Sequence, residues 1–143
     1  MAGLADDVGF LLSRASGLVV RATNAALAVE GLRVRQYSVL VLASDTAGGV
    51  SQRELADCLG LDPSQIVTLV DELTEAGLVE RRPSPADRRT KLVGATPEGR
   101  RVRSRAARRA EAGVQRELAP LDEDDQASLR ALLARVVAGS TGR

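Results

Sequence analysis

The sequence contains no histidine and no tryptophan, and it has one cysteine, Cys58. A His-ligated zinc site, a histidine-based catalytic triad and a disulfide within the chain are therefore excluded. Phe10 and Tyr37 are the only aromatic residues, too few to build a cofactor site or a single-stranded nucleic-acid site on ring stacking. The remaining Asp, Glu, Ser and Arg groups show neither a nucleophile–base spacing nor a phosphate-binding loop. We therefore expect no enzymatic activity, no metal and no cofactor.

Long apolar runs and a secretory leader are also missing. No stretch is apolar for long enough to cross a bilayer, and the N-terminus lacks a cationic segment followed by a cleavage site. We expect a cytoplasmic protein. A chain of 143 residues has the size of one ordinary domain, which can bury a core without disulfides or metals. The expected organisation is a single domain over residues 1–143.

The net charge is only +1 at pH 7, but the charges are unevenly distributed along the chain. Residues 1–80 carry 5 basic and 11 acidic groups, a balance of −6, whereas residues 81–116 carry 12 basic and 3 acidic groups, a balance of +9. Binding to duplex DNA draws much of its affinity from the neutralisation of phosphates. The basic block at residues 81–116 is typical of such a surface.

The segment before this basic block predicts two helices joined by a tight turn. Ser51 and Glu54 have the spacing of a capping box, so the first helix should begin there. Gly60 permits the left-handed backbone that a sharp turn requires. The second helix should begin at Asp62-Pro63, with aspartate as N-cap and proline at the first helical position. It should end at Gly77, a residue type common just after a helix.

The second helix has one apolar face and one polar face. The apolar face, expected in the core because of its helical spacing, consists of Ile66, Leu69, Val70, Leu73 and Ala76. The N-terminal half of the opposite face carries small side chains, where free backbone N–H groups and the positive end of the helix dipole suit a phosphate-lined groove. Each of these side chains is expected to contact base edges in a major groove, or alternatively phosphate alone. They are Ser64, Gln65, Val67 and Thr68.

A hairpin is predicted after the second helix, because two short apolar-containing segments flank the Pro-rich polar residues 83–89. Together, the two helices and this hairpin resemble the winged helix-turn-helix of the MarR family of bacterial transcriptional regulators. With Gly31 to Leu42 upstream, the resemblance covers most of the chain. One departure is Gly94-Ala95, where the family usually has a larger residue and then Leu, so a looser return strand is expected. The matching segments are Leu55-Ala56, residues 67–73, residues 77–81, Asp87-Arg88-Arg89 and residues 96–100.

The resemblance implies a mainly α fold: a winged helix-turn-helix with a small antiparallel β wing, and long N- and C-terminal helices that form a homodimerisation region. Residues 1–31 and 97–143 would be the dimerisation helices, and residues 32–96 the DNA-binding part. The implied function is a sequence-specific double-stranded DNA-binding regulator, a repressor relieved by a small-molecule ligand. As a homodimer it would bind a pseudo-palindromic operator. The alternative is a nonspecific nucleoid-type DNA-binding protein.

The resemblance also implies roles for residues of the wing. Arg89 would enter the minor groove, where a narrow A·T form deepens the negative potential, and Asp87 would orient it. Arg53, in the helix before the reading helix, is a weaker candidate for a phosphate contact. The wing residues expected to bind phosphates are Arg82, Arg88 and Lys91.

Three flanking segments show helical periodicity. Apolar residues recur from Leu4 to about Val29, which predicts one long first helix ended by Gly31. Thr96-Pro97 should begin a second helix that runs to about Leu118. A third apolar stripe spans residues 129–137, and its predicted partners are the first helix and the same region of a second chain. Residues 139–143 should be frayed.

Several features of the sequence allow more than one interpretation. Arg14 and Arg21 form either a solvated edge or the lining of a cleft for an anionic ligand, which the family binds where its first, second and fifth helices meet. Tyr37 is either core or a ligand contact, because Gly31 to Tyr37 resembles the segment that borders the family's effector pocket. Cys58 is a buried structural thiol or a redox sensor. An arginine face solubilises the helix, contacts DNA, or pairs with the acidic N-terminal half: Arg101, Arg105, Arg108, Arg109 and Arg116.

Overall fold

The computed structural model describes residues 2–141, and it is mainly helical with one three-stranded antiparallel sheet. The expected fold class, a mainly α winged helix-turn-helix, is confirmed. None of the helices in this range is long and apolar enough to cross a membrane. The helices are α1 (Ala2–Ala5), α2 (Val8–Leu27), α3 (Val34–Asp45), α4 (Gln52–Leu59), α5 (Pro63–Glu75), α6 (Pro97–Glu117) and α7 (Glu123–Ser140), and the strands are β1 (Val50–Ser51), β2 (Val79–Pro83) and β3 (Lys91–Ala95).

The prediction of one continuous helix from Leu4 to Val29 is wrong at its N-terminal end, whereas Gly31 ends the helical segment as predicted. Asp7 has an extended backbone and its carboxylate accepts the backbone N–H of Phe10, so it caps a new helix and separates α1 from α2. The apolar period continues across this break because it depends only on which side chains are apolar, whereas the extended backbone of Asp7 interrupts the helix and its side chain begins a new one. At the other end a 3₁₀ turn, Ala28–Glu30, follows α2, and Gly31 (φ 72°) ends it in the left-handed region.

The two helices of the helix-turn-helix begin and end as their caps predict. The hydroxyl of Ser51 accepts the N–H of Glu54, and the Glu54 carboxylate accepts the N–H of Ser51. Gly60 is left-handed (φ 64°) after α4, and Gly77 (φ 76°) follows the end of α5. The side chain of Gln65 completes the start of α5 by accepting the N–H of Asp62.

The sheet contains a strand that the sequence does not reveal. The order is β1-β3-β2, and Val50 and Ser51 of β1 lie opposite Val93 and Leu92 of β3. A two-residue strand carries no period for sequence analysis to detect. Gly49 precedes it with a left-handed backbone (φ 96°), and a Cβ there would lie 2.9 Å from the carbonyl oxygen of Val93. The pairing of β1 with β3 therefore depends on the absence of a side chain at Gly49.

The hydrophobic core lies where α2, α3 and α6 meet the helix-turn-helix and the sheet. Four of the five predicted core residues of α5 are buried, but Ala76 is exposed because it is the C-cap beyond the last turn. Tyr37 is half-buried and packs against the core. The largest fully buried side chains are Leu27, Val39, Leu40, Leu55, Ile66, Val70, Leu73, Val79 and Val93.

The two C-terminal helices, α6 and α7, differ in how much of their surface is packed against the rest of the chain. Helix α6 packs along α2, with Gly113 so close that a Cβ would lie 3.1 Å from the carbonyl oxygen of Ala22. Helix α7 begins at the predicted cap, where the Asp122 carboxylate accepts the N–H of Asp125, yet it has no buried residue. The predicted fraying of residues 139–143 is wrong for Gly139 and Ser140, which are helical. The last two residues of that predicted segment, 142 and 143, lie outside the described range.

Candidate nucleic-acid interface and ligand cleft

The predicted base-reading residues of α5 are all exposed on the N-terminal half of the helix. Two of them also serve the helix itself. Gln65 uses its amide oxygen to cap the helix, which leaves its NH₂ donors to contact another molecule, and the Thr68 hydroxyl donates to the carbonyl oxygen of Ser64. Val67 exposes 40% of its surface, which provides an apolar group for a thymine methyl. The face thus presents donors, acceptors and one aliphatic group together.

The tip of the wing is ordered by Asp87. Its carboxylate accepts the backbone N–H of Arg89 at 3.0 Å, and its carbonyl oxygen accepts the N–H of Thr90. The Asp87 side chain therefore positions Arg89 through the backbone and not through the guanidinium. Arg88 and Arg89 are exposed, and among residues 2–141 neither forms an ion pair with a carboxylate. Their charges are available to an external anion.

Arg82 and Lys91 lie near the tip of the β2–β3 ladder, where Pro83 pairs with Lys91. Lys91 is exposed, but the Arg82 guanidinium pairs with Glu80 at 2.8 Å. It also lies over Gly94, where a Cβ would be 3.0 Å from Nη2 of Arg82. Gly94 is buried within a fully paired β3, so the departure from the family pattern gives room to Arg82 and the expected loosening of the strand is not seen.

Arg81 is a residue of the interface region to which sequence analysis assigned no role. Its guanidinium donates to the carboxylate of Asp71 in α5 at 2.6 Å and to the amide oxygen of Gln52 in α4 at 3.1 Å. One side chain of the wing thus contacts both helices of the helix-turn-helix. The resemblance to the family includes Arg81 and Asp71, but no local rule pairs residues ten positions apart across a turn. Arg53, by contrast, is simply exposed on α4.

Part of the arginine face of α6 is paired within the chain. Arg105 and Arg109 both donate to the carboxylate of Glu30, whose side chain is only 9% exposed. The hydrogen bond from Arg105 lowers the pKa of Glu30 more than burial raises it, and Arg109 adds to the lowering. Arg101 pairs with Glu98 of the same helix. Two of the five arginines of this face, Arg105 and Arg109, therefore pair with the acidic N-terminal half of the chain.

A second ion pair joins α6 to α3. Arg103 donates two hydrogen bonds to the carboxylate of Asp45, the shorter at 2.6 Å. The hydrogen bond from Arg103 lowers the pKa of Asp45. Together with the contacts of Glu30, this pair fixes α6 against the segment that leads into the helix-turn-helix.

An open cleft of about 620 Å³ lies between α2, α3 and α5. Apolar side chains from each helix contribute to its wall, together with two arginines from the start of α3 and a carboxylate from α5. Neither Arg14 nor Tyr37 lines this cleft, and α6 contributes no residue to it. The segment from Gly31 to Tyr37, which resembles the border of the family's effector pocket, does contribute. The lining residues are Val20, Asn24, Arg33, Val34, Arg35, Ser64, Gln65, Thr68, Leu69 and Glu72.

Cys58 is exposed, which contradicts the interpretation of a buried structural thiol. It lies in the last turn of α4, where the amphipathic helix turns only Leu55 and Ala56 fully inward. Within the described range, no group of three or more His, Cys, Asp or Glu side chains is arranged to bind a metal ion.

Comparison with known proteins gives one consistent result. A sequence model described as MarR family matches residues 30–90. The HTH-type transcriptional repressor Rv2887 of Mycobacterium tuberculosis is 31% identical over 136 residues, which cover 94% of this chain and 97% of the repressor. The crystal structure of CouR from Rhodococcus jostii RHA1 bound to p-coumaroyl-CoA is 52% identical, with a TM-score of 0.87 over 94% of each chain.

A further solved structure, the PcaV regulator of Streptomyces coelicolor in complex with its natural ligand, is 33% identical with a TM-score of 0.82 and covers 96% of each chain. The identity to a full-length repressor, the family match across the helix-turn-helix and wing, and the closely superimposable folds all agree. This chain belongs to the MarR family of transcriptional regulators.

Proposed function

We propose that this chain is a homodimeric, sequence-specific double-stranded DNA-binding protein of the cytoplasm, a repressor that a small-molecule ligand releases from its operator. The observation that carries the proposal is the linkage of two exposed elements. Helix α5 presents Ser64, Gln65 and Thr68 at its positive end, and Arg81 ties it to the hairpin that exposes Arg88 and Arg89. A capped helix for the major groove and an arginine-tipped wing are thereby fixed relative to each other.

Unpartnered apolar faces support a homodimer. Helix α7 exposes four large aliphatic residues and α2 exposes several more. Burial of such residues stabilises a protein by roughly 25 cal/mol per Å² of apolar surface, so faces of this extent favour association. Residues 1–31 and 97–143 would form the dimer, and residues 32–96 of each copy would read one half-site. The exposed residues of α7 are Leu132, Leu133, Val136 and Val137.

The cleft between α2, α3 and α5 is the proposed ligand site. Val20, Val34 and Leu69 suit an apolar or aromatic group, while Arg33 and Arg35 suit an anionic one. CouR binds p-coumaroyl-CoA, which combines both features. We therefore propose an aromatic acid or its coenzyme A thioester as the ligand. A molecule bound there would contact α5, the helix that reads DNA, and so change the affinity for the operator.

The test is titration of fluorescent duplexes with the purified protein at about 150 mM salt. One duplex comes from the region upstream of its own coding sequence, and the other is a scrambled duplex of equal length and composition. A specific regulator should prefer the first by about 10³ or more. Equal affinity would favour a nucleoid-type protein. Addition of p-coumaroyl-CoA should release the operator duplex, whereas coenzyme A alone, which lacks the aromatic group, should act more weakly.

A further inference from the structure

We infer that Glu72 is a positioning residue for the reading helix α5, acting through Gln36 and Arg33 at the start of α3. The inference rests on the proposed function, because it concerns how the reading helix is placed for DNA. It adds a defined contact that determines that placement. It also gives a role to an acidic residue that, from charge alone, should weaken binding to a polyanion.

The contact joins two elements that are far apart in sequence. One carboxylate oxygen of Glu72 accepts a hydrogen bond from the amide nitrogen of Gln36 and a second from the Arg33 guanidinium at 3.3 Å. The Glu72 side chain is 38% exposed, and Arg33 is 69% exposed. Gln36 is partly buried. The bond to Gln36 is therefore the better shielded of the two, and a charged acceptor strengthens it.

Gln36 connects Glu72 to the framework of the protein. Its amide oxygen accepts the backbone N–H of Arg33 at 3.0 Å, at the start of α3, while its amide nitrogen donates to Glu72 of α5. The next backbone N–H, that of Val34, donates to the side-chain oxygen of Asn24 in α2 at 2.9 Å. A continuous path of hydrogen bonds thus runs from α5 through the start of α3 to α2. In the proposed dimer, α2 belongs to the part that joins the two copies.

Two successive carboxylates fix α5 on two sides. Asp71 is bound by Arg81 of the wing, whereas Glu72 is bound by Gln36 and Arg33 of α3. Glu75, one turn further along, has no ion-pair or hydrogen-bond partner in the portion of the chain that the structure describes. Each negative charge on α5 opposes DNA binding by repelling phosphates. The two bound carboxylates offset that cost by setting the rotation and height of the helix, because operator recognition needs base contacts placed within a fraction of an ångström.

The experiment exchanges the two partners across the contact. Gln36→Glu keeps an acceptor for the N–H of Arg33 but places a second carboxylate against Glu72. The double variant Gln36→Glu with Glu72→Gln restores the hydrogen bond with donor and acceptor exchanged, and it has the net charge of the wild type. Glu75→Gln is the matched control, since it removes one charge from the same helix without breaking a contact.

Affinities for the operator duplex and the scrambled duplex are measured for all four variants, including Glu72→Gln alone. Gln36→Glu should lower the ratio of the two affinities about tenfold, the effect expected from the loss of one charge-assisted hydrogen bond. The double variant should return to within about twofold of the wild type, since the contact is regained. Glu75→Gln should leave the ratio unchanged. An unchanged ratio in Gln36→Glu, or no recovery in the double variant, would overturn the inference.

Hydrogen exchange of the α5 backbone amides, measured without DNA, separates the inference from the proposed function. Exchange should rise in Gln36→Glu and return to the wild-type rate in the double variant. Should the wild type show no preference for its operator, the proposed function would be wrong. The exchange rates would then still decide whether the contact fixes α5, and rates equal in all variants would refute it.

Discussion

Nη2 of Arg81, in the first strand of the wing, lies 2.6 Å from Oδ1 of Asp71 on helix α5. The Arg81 side chain is 28% exposed and Asp71 is 61% exposed, so solvent weakens the pair but does not cancel it. Because the same guanidinium also reaches Gln52, Arg81→Ala should lower the free energy of unfolding by about 1 kcal/mol. Urea denaturation measures this loss.

The control for Arg81 is its neighbour Arg82, whose contacts within residues 2–141 are an ion pair with Glu80 of the same strand and a 3.5 Å hydrogen bond to the carbonyl oxygen of Ala95. Arg82→Ala should change the free energy of unfolding by less than about 0.5 kcal/mol. Equal losses in the two variants would mean that Arg81 does not link the wing to the helices.

Arg88 and Arg89 should differ in what they contribute to DNA binding. Arg89→Ala should weaken binding to the operator by about tenfold or more and reduce the preference for A·T-rich sequence at the wing position. Arg88→Ala should weaken binding to every duplex alike and reduce the salt dependence by about one phosphate contact. Titrations at several salt concentrations distinguish the two effects. Neither change should alter the melting temperature, since both side chains are exposed, and unaltered affinity in Arg89→Ala would remove the wing from the interface.

The arginine-paired carboxylate of Glu30 should make stability depend on pH. Its pKa in the folded protein is lowered from 4.5, chiefly by the hydrogen bond from Arg105. The unfolded chain therefore takes up the proton first as the pH falls. The stabilisation is fully present above about pH 4.5 and is lost as the pH falls through the lower folded-state value.

Glu30→Gln tests this dependence, with Glu111→Gln, an exposed position on α6, as the control. The difference in unfolding free energy between wild type and Glu30→Gln should be largest near neutral pH and should shrink below about pH 4.5. A difference that stays constant across this range would show that Glu30 stabilises the protein by packing alone.

Gly99 in the first turn of α6 should not tolerate a side chain. A Cβ at this position would lie 1.9 Å from the carbonyl oxygen of Leu78, which accepts the N–H of Thr96. Gly99→Ala should therefore cost about 3 kcal/mol, because backbone must move to accommodate the methyl group. Gly139→Ala on α7 meets no atom within 4 Å and should stabilise the helix by about 0.5–1 kcal/mol. Thermal unfolding of both variants tests the contrast, and similar melting temperatures would contradict it.

The exposed stripe of α7 should determine the oligomeric state. The wild type should have twice the chain mass of 15.1 kDa, and the double variant Leu133→Arg with Val136→Arg should have the mass of one chain, because buried unpaired charges oppose association. Light scattering after size exclusion measures both. Arg135→Ala, on the same helix, is the control and should remain a dimer. A monomeric wild type would contradict the proposed arrangement.

Local signals in the sequence were sufficient for most helix boundaries of the helix-turn-helix. Ser51 with Glu54, Asp62 with Pro63, and Gly77 act on backbone groups within a few residues of themselves, so their spacing predicts the caps directly. The same locality identified the exposed side chains of α5 and the basic tip of the wing. Resemblance to the family added the winged fold, which the comparisons then confirmed.

The contacts that position these elements were decided only by the tertiary structure. Gln36 meets Glu72, Arg81 meets Asp71, and the cleft forms between three helices, because packing of the core brings distant segments together. The strand at Val50 exists only through its pairing with Val93. Sequence periodicity states which side of a segment is apolar but not which partner covers it, and side-chain hydrogen bonds between distant elements depend on orientations that the packed core alone fixes.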